Sequence, residues 1–182
     1  MIYGASFGLI AVFGAKLGLS IFQISILVFV NTFIGALFQY PVGKLSDTFD
    51  RRIILLILNI IALVSSICVI IFGSFSFNIL LLFVGIHSAV SLPYYAVVIS
   101  HLNDFLEKDE VVSASSTLTL VNALGLVLGP IIVSGFMSYF DAYGLFYYCA
   151  IVYVFLALFT YQRVRVGSCL LYTSDAADDI PG

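Results

Sequence analysis

Charged residues are scarce in this chain of 182 residues: 9% are Asp, Glu, Lys or Arg, whereas 62% are hydrophobic. Soluble domains carry about 25% charged and about 45–50% apolar residues. A folded sphere of this length could not bury so many apolar side chains and still present a polar surface to water. The composition therefore excludes a secreted disulfide scaffold, a nucleic-acid-binding domain and an ordinary cytosolic enzyme. It indicates a protein that crosses a membrane several times.

Cysteine is also rare, and tryptophan is absent. Two of the three cysteines, Cys68 and Cys149, lie in apolar runs, where a thiol usually packs as a small hydrophobic group. The sequence has no Cys-x-x-Cys pair and no His/Cys cluster, so it predicts neither a metal site nor a cofactor. The net charge of −3 comes from three aspartates near the C-terminus and does not indicate a basic partner.

Long runs without a charge give the number of membrane spans. Residues 53–103 form a run of 51 uncharged positions. Because about 20 helical residues cross a bilayer, this run must cross twice, with a turn at residues 73–76. The runs are too long for strands and lack the alternation that a barrel needs. The sequence predicts an all-α membrane protein with spans at about 1–18, 21–46, 53–73, 77–101, 111–138 and 143–162.

The basic residues are divided unequally between the two sides of such a bundle. Six of the seven lie on one side, and only Lys16 lies on the other. Cytoplasmic loops of membrane proteins carry an excess of Lys and Arg. We therefore expect the 44–52 loop, the 102–110 loop and the C-terminus to be cytoplasmic. The six residues are Lys44, Arg51, Arg52, Lys108, Arg163 and Arg165.

A short charged loop joins the second and third predicted helices. It reads Gly-Lys-Leu-Ser-Asp-Thr-Phe-Asp-Arg-Arg over residues 43–52. One interpretation is a solvated turn whose arginines only orient the protein in the membrane. The other is a gate in which Arg51 or Arg52 pairs with Asp104 and separates from it as one face of the bundle opens. The gate would comprise Gly43, Asp47, Asp50, Arg51, Arg52 and Asp104.

Two residues of this loop have more specific expected roles. Gly43 would let the backbone of a neighbouring helix approach closely, because it has no side chain. Asp47 would lie against the positive N-terminal end of another helix.

The loop resembles the signature of the major facilitator superfamily, Gly-x-x-x-Asp-Arg-x-Gly-Arg-Arg/Lys. Thr48 replaces a basic residue of that pattern, and Asp50 replaces a glycine. The form found here, with Leu-Pro-Tyr-Tyr at 92–95 and Gly-Pro at 129–130, is similar to the second half of YcaD-like bacterial carriers. The resemblance covers about residues 1–166. The residues that match the signature are Gly43, Asp47, Arg51 and Arg52.

The resemblance implies a carrier of twelve helices in two six-helix halves, related by an axis along the membrane normal. Residues 1–166 would be the C-terminal half of a secondary active transporter that moves a small solute by alternating access. Its expected partners are the solute, a proton as candidate coupling ion, the lipid bilayer and the missing N-terminal half. Its expected location is the inner membrane.

Residues 167–182 depart from this pattern and resemble translated sequencing adaptor. The alternative is a native, disordered acidic terminus. Because the first predicted span is also short, we expect the sequence to be a fragment.

Polar residues near the middle of spans need a reason, because polar groups in a bilayer are costly. Asn31, His87 and Asn122 occupy such positions, and Tyr94 follows a proline that would kink span four. These four residues either line a substrate cavity or hold helices together inside the bundle by hydrogen bonds and packing. His87 is also a candidate proton carrier, because histidine titrates near physiological pH.

Small residues recur at spacings that favour close helix packing. Gly4-xxx-Gly8 and Gly14-xxx-Gly18 lie in the first span. The fifth span carries a proline that is expected to bend the helix, within the set Gly125, Gly129, Pro130 and Gly135.

Two other functions compete with transport. One is a membrane assembly subunit without transport activity. The other is an intramembrane transferase in which Asp47 and Asp50 hold Mg²⁺. Such Mg²⁺ sites usually need more carboxylates and substrate phosphates, which makes an enzyme the weaker alternative.

Overall fold

The computed structural model describes residues 2–106 and 111–178, and this part of the chain forms six α-helices and no strand. Lys108, in the expected 102–110 loop, lies outside the described residues. An all-helical structure satisfies every backbone N–H and C=O within its own segment, as a bilayer requires. The expected number and order of helices are confirmed. The helices are α1 (Ile2–Lys16), α2 (Ile21–Thr48), α3 (Arg51–Phe72), α4 (Phe77–Asn103), α5 (Val111–Tyr139) and α6 (Gly144–Asp178).

Helices α2 to α6 each contain a segment long and apolar enough to cross a membrane. The apolar helix Gly4–Lys16 within α1 is shorter than such a span. In α6 the membrane-compatible segment is Gly144–Arg165, although the helix continues to Asp178. The interpretation of residues 167–182 as a non-native or disordered tail stays a prediction.

Local hydrogen bonds explain where three of the helices begin. Ser20 and Gln23 form a reciprocal capping box at the start of α2, with Ser20 N donating to Gln23 Oε1 over 2.9 Å. The carboxylate of Asp50 accepts from Arg52 N over 2.8 Å and caps α3. Ser76 caps α4 through Asn78 N, so the α3–α4 turn falls where the sequence predicted it.

The helices pack in an interleaved order rather than as sequential neighbours. The most extensive contacts join α2 to α4, and α3 to both α4 and α6, while α1 packs on α5 and α2. At the end of the bundle opposite the charged loop, Lys16 Nζ donates to the carbonyl oxygen of Met137 over 2.6 Å. This bond ties the end of α1 to the end of α5, where helix carbonyls favour a cation.

Polar side chains lie inside the bundle, and large apolar side chains cover its outside. Ile21, Phe155 and Leu82, for example, are 87%, 69% and 59% exposed. This distribution suits a protein whose solvent is lipid, because lipid tails exert no hydrophobic force that drives apolar side chains inward. The buried polar residues are Ser6, Asn31, Ser46, Asn59, Ser65, Ser66, His87, Ser88, Ser91 and Thr160.

Glycine allows close approach of α1 to α5. A Cβ added at Gly4 would lie 2.7 Å from Leu126 Cα, and one at Gly8 would lie 3.3 Å from Pro130 Cγ. These contacts confirm the packing role expected of Gly4-xxx-Gly8. Gly18 differs, because it adopts a left-handed conformation (φ 72°) in the turn after α1, and a Cβ there would meet no atom of the described residues within 4 Å. The packing role expected of Gly18 is therefore wrong.

Substituting Gly4 by Ala is expected to destabilise the chain, because the new Cβ would overlap backbone atoms of α5. Overpacking of this kind costs about 1–3 kcal/mol. The matched control is Gly135→Ala in α5, where a Cβ meets no described atom within 4 Å. That change is expected to raise helix stability by up to about 1 kcal/mol, since Ala is the better helix former. Thermal unfolding in detergent, followed by circular dichroism, checks that the two shifts have opposite signs.

Candidate functional site

The charged loop between α2 and α3 forms a three-helix ion-pair cluster at one end of the bundle. Arg51 at the start of α3 places Nη2 3.3 Å from Asp47 Oδ1 of α2 and Nη1 3.1 Å from Asp104 Oδ2 at the end of α4. The Arg51 side chain is 21% exposed, whereas those of Asp47 and Asp104 are 70% and 50% exposed. One guanidinium therefore ties the ends of α2, α3 and α4 together.

Asp50 and Arg52 of the same loop have different partners. Asp50 is engaged as the helix cap of α3. The guanidinium of Arg52 lies 5.9 Å from the centroid of the Phe105 ring, within the range of a cation–π contact. Arg51, and not Arg52, is therefore the ion-pair partner of Asp104. Arg52 points past Asp104 to Phe105.

Gly43 lies one turn before Asp47, on an open surface. A Cβ at Gly43 would meet no atom within 4 Å among the described residues. Asp47 pairs with the Arg51 side chain and not with the N-terminal end of another helix. The expected close approach at Gly43 and the expected helix-end contact of Asp47 do not occur within the part of the chain that the structure describes.

Two buried polar atoms lie beside the ion-pair cluster. Ser46 Oγ and Asn103 Oδ1 are shielded from solvent, yet neither has a hydrogen-bond partner among the described residues. Buried polar groups are normally hydrogen-bonded, so their lack of partners weakens the packing where α2 and α4 end.

Asn31 in α2 holds α4 through a short hydrogen bond. Its Oδ1 accepts from Ser88 Oγ over 2.6 Å, and both side chains are buried. One turn further along, a Cβ at Gly35 would lie 3.0 Å from Leu92 Cβ, so the two helices touch here. The structure thus places Asn31 in a helix–helix contact, beside a cavity of about 10 Å³ lined also by Ser6 and Ser91.

His87 is enclosed by aromatic rings of α6. Its ring meets those of Phe146 and Tyr153 edge to face, with centroids 5.6 and 5.7 Å apart. The Ser91 hydroxyl lies 3.3 Å from His87 Nδ1 and 2.8 Å from Tyr153 Oη, and it donates to the His87 carbonyl oxygen over 2.6 Å. His87 is 1% exposed, so it is part of the packed interface between α4 and α6.

Tyr94 belongs to a third polar contact, which the sequence analysis did not identify. Asn59 Nδ2 of α3 donates to Tyr94 Oη over 3.4 Å and to Thr160 Oγ1 of α6 over 3.3 Å. Asn59 is fully buried, and its Oδ1 has no partner in the described structure. The signal that could have found it is its position in the middle of span three, equivalent to that of Asn31 in span two.

Asn122 in α5 differs from the other mid-span polar residues. It is half-buried, and its side chain forms no hydrogen bond with the described residues. Gly125 and Gly129 are buried in the same helix, and Pro130 contacts the Gly8 position of α1. A Cβ at Gly135 would meet no atom within 4 Å in the part of the chain that the structure describes. Gly125, Gly129 and Pro130 thus lie on the packed face of α5, and Asn122 belongs to none of the polar contacts above.

Comparison with known proteins places these features in a family. The sequence profile described as Major Facilitator Superfamily matches residues 1–168. An uncharacterized MFS-type transporter, YfkF of Bacillus subtilis (strain 168), is 28% identical over 155 residues. The alignment covers 83% of this chain but 39% of YfkF, so the chain spans about two fifths of the length of that relative. No solved structure matches. Because the family profile covers most of the chain, the chain belongs to the major facilitator superfamily.

The hydrogen bond between Asn31 and Ser88 is expected to couple the two residues energetically. Replacing Asn31 by Ala leaves the buried Ser88 hydroxyl without its partner. In a double-mutant cycle with Ser88→Ala, we expect a coupling of about 0.6 kcal/mol, and at most about 1.7 kcal/mol, as for other interhelical bonds in membranes. Unfolding of each variant in mixed micelles measures it.

Asn122→Ala is the matched control for that cycle, because it removes the same amide from a site without a partner. Its coupling to Ser88→Ala should be zero within error. An Asn31–Ser88 coupling no larger than the Asn122–Ser88 coupling would contradict the packing role of Asn31.

Proposed function

We propose that this member of the major facilitator superfamily is one six-helix half of a secondary active transporter, which moves a small solute by alternating access. The family and the MFS-type relative support a transporter in general. The observation that carries the finer proposal is the ion-pair cluster of Arg51, which connects α2, α3 and α4 at one end of the bundle.

The ion pairs of this cluster are weak enough to break and re-form, as a reversible gate requires. A partly exposed ion pair contributes about 0–1 kcal/mol, because water competes for both charges. Breaking the contact between Arg51 and Asp104 therefore costs little, and both charges return to solvent when the end of α4 moves. The unpartnered Ser46 and Asn103 at the same ends lower the stability of the closed packing further. Alternating access needs two arrangements of similar free energy, and the weak contacts at this end of the bundle support such a mechanism.

The second half of the transporter is the proposed partner of this chain. Six helices are half of the twelve that this superfamily uses, with the two halves rocking about a shared central site. The open surface at Gly43 and the 70% exposed Asp47 side chain leave room for the helix contacts that the sequence motif suggests. We propose that those contacts are made to the other half, which would also explain why they do not occur within this chain.

The orientation proposed for the bundle follows from its charges. Arg51, Arg52 and Arg163 lie at one end, and Lys16, at the other, is held by the Met137 carbonyl. We assign the arginine end to the cytoplasm of a bacterial inner membrane by the positive-inside rule.

The mid-membrane contacts divide the candidate cavity residues into two groups. Asn31 and Tyr94 form hydrogen bonds to other helices, and His87 packs edge to face on two rings of α6, so we assign all three to the framework of the half-bundle. Asn122, which has no such partner, is the residue that we assign to the solute cavity. A magnesium-dependent transferase is less well supported, because Asp47 pairs with Arg51 and Asp50 caps α3.

Opening of the proposed gate can be measured without knowing the solute. The reporter is a cysteine at Ser46, which is 3% exposed behind the charged loop, in a background without the native cysteines. Asp104→Asn weakens the closed state by about 0.5–1 kcal/mol and should raise the labelling rate by a membrane-impermeant maleimide about two- to fivefold. Inverted membrane vesicles expose the cytoplasmic face to the reagent and also test the orientation.

Asp141→Asn, in the turn before α6 at the opposite end, is the matched control and should leave labelling unchanged. Arg51→Gln removes both ion pairs of the cluster and should raise the labelling rate at least as much as Asp104→Asn. Equal labelling rates in the parent, Asp104→Asn and Arg51→Gln variants would refute the gate.

Transport itself requires the reading frame that contains this chain together with its companion half. Cells that express it should accumulate or export at least one small solute, detected by mass spectrometry of cell extracts. Asp47→Asn should abolish that change, because it removes the acidic residue of the family motif, whereas Asp141→Asn should not. A metal-dependent product in detergent would indicate the enzyme instead, and neither outcome would indicate an assembly subunit.

A further inference from the structure

A deep pocket opens at the arginine end of the bundle, on the side of α4 that faces α5 and α6. It has a volume of about 670 Å³, within the range of small-molecule sites, and lies among the ends of α3, α4, α5 and α6. The apolar part of its lining, called the floor below, is formed by Leu55, Val98, Leu102, Leu118 and Phe159, and His101 and Thr160 add polar groups. The pocket adjoins the Asn59 contact through Thr160 and the charged loop through Arg52.

Two arginines stand at the rim of this pocket. Arg52 lies over the ring of Phe105 at 5.9 Å, and Arg163 lies over the ring of Phe159 at 5.3 Å. Both also line the pocket. Neither arginine forms an ion pair with a described residue, in contrast to Arg51, which has two carboxylate partners. The rim therefore presents two positive charges that no carboxylate of the described residues pairs with, above an apolar floor.

This combination specifies the chemistry of an occupant. The cationic rim needs an anion, and a soluble anion would leave the apolar floor uncovered. An apolar solute or a detergent-like tail would leave the two guanidinium groups without a counter-ion. A molecule with an anionic head and apolar chains fits both parts. Such molecules surround the helices of a membrane protein, and basic pockets between helix ends are typical binding sites for their headgroups.

We propose that this pocket binds an anionic phospholipid, with its phosphate between Arg52 and Arg163 and its acyl chains on the floor between α4, α5 and α6. The lipid would bridge α3 to α6 at the same end as the Arg51 cluster. A guanidinium suits this role because it binds phosphate with two parallel hydrogen bonds. The proposal depends on the chain spanning a membrane and not on the solute or the direction of transport.

The absence of tryptophan provides a direct test in bilayers. Phe105→Trp introduces a single fluorophore at the rim, where it retains an aromatic ring beside Arg52. The chain is reconstituted in two sets of vesicles. In the first, brominated phosphatidylglycerol is mixed with non-brominated phosphatidylcholine, and in the second, brominated phosphatidylcholine is mixed with non-brominated phosphatidylglycerol. Quenching as a function of composition gives the relative binding constant of the two lipids at the pocket. Phe75→Trp, in the turn between α3 and α4 at the opposite end, is the reference position.

We expect the rim reporter to prefer phosphatidylglycerol, and the reference position to show a weaker preference or none. Arg163→Gln should lower the preference about fivefold, which corresponds to about 1 kcal/mol, and adding Arg52→Gln should remove the remainder. Replacing Arg52 and Arg163 by lysine should retain most of the preference for phosphatidylglycerol, since both positive charges persist. The control pair Lys44→Gln with Arg165→Gln removes two positive charges from the same end outside the pocket and should leave the preference intact.

Three results would overturn the proposal. The first is equal quenching by the two lipids at the rim of the parent chain. The second is an equal loss of preference in the control pair, which would indicate a diffuse surface charge and not a site. The third is displacement of phosphatidylglycerol by inorganic phosphate at constant ionic strength, which would assign the arginines to a soluble anion.

Discussion

The bundle depends on one constraint: a buried polar side chain that its own helix cannot satisfy needs a hydrogen-bond partner on another helix. The bond of 2.6 Å between Asn31 and Ser88 shows how this constraint selects a packing arrangement. It fixes the rotation of α2 and α4 about their axes, and that rotation brings Gly35 against Leu92. Without an aqueous hydrophobic effect between helices, such bonds and close backbone contacts decide which faces meet.

The same constraint explains why the most informative polar residues lie in the framework. Asn59 joins α3 to α4 and α6, and Ser91 joins α4 to α6 through Tyr153. These contacts make α3, α4 and α6 one tightly connected unit. The contacts at the ends are weaker, because the Arg51 cluster is partly exposed to water. The proposed carrier would use this combination, because each half would move as a rigid body while its end contacts change.

The sequence determines the helices well because their signals are local. The lengths of the uncharged runs predicted six helices in the observed order and the turn at residues 73–76, and local caps at Ser20 and Asp50 explain where α2 and α3 begin. The contacts of the site were harder to predict. Asn31 was identified but its partner Ser88 was not, and Asn59 was missed. Finding a partner requires the rotation of each helix, which run lengths and caps do not specify.

The two neighbouring arginines of the loop illustrate how position, and not residue type, sets a role. The sequence left Arg51 and Arg52 as equivalent candidates for the partner of Asp104. Successive residues of a helix point about 100° apart, so only one of the two arginines can reach both Asp47 and Asp104. Arg51 takes that direction and finds two carboxylates. Arg52 turns toward Phe105 and the pocket bounded by α6. The two neighbouring arginines thus belong to two different surfaces, the ion-pair cluster and the proposed lipid pocket. Because both lie on α3, any movement of α3 that opens the ion-pair cluster must also move the rim of the pocket.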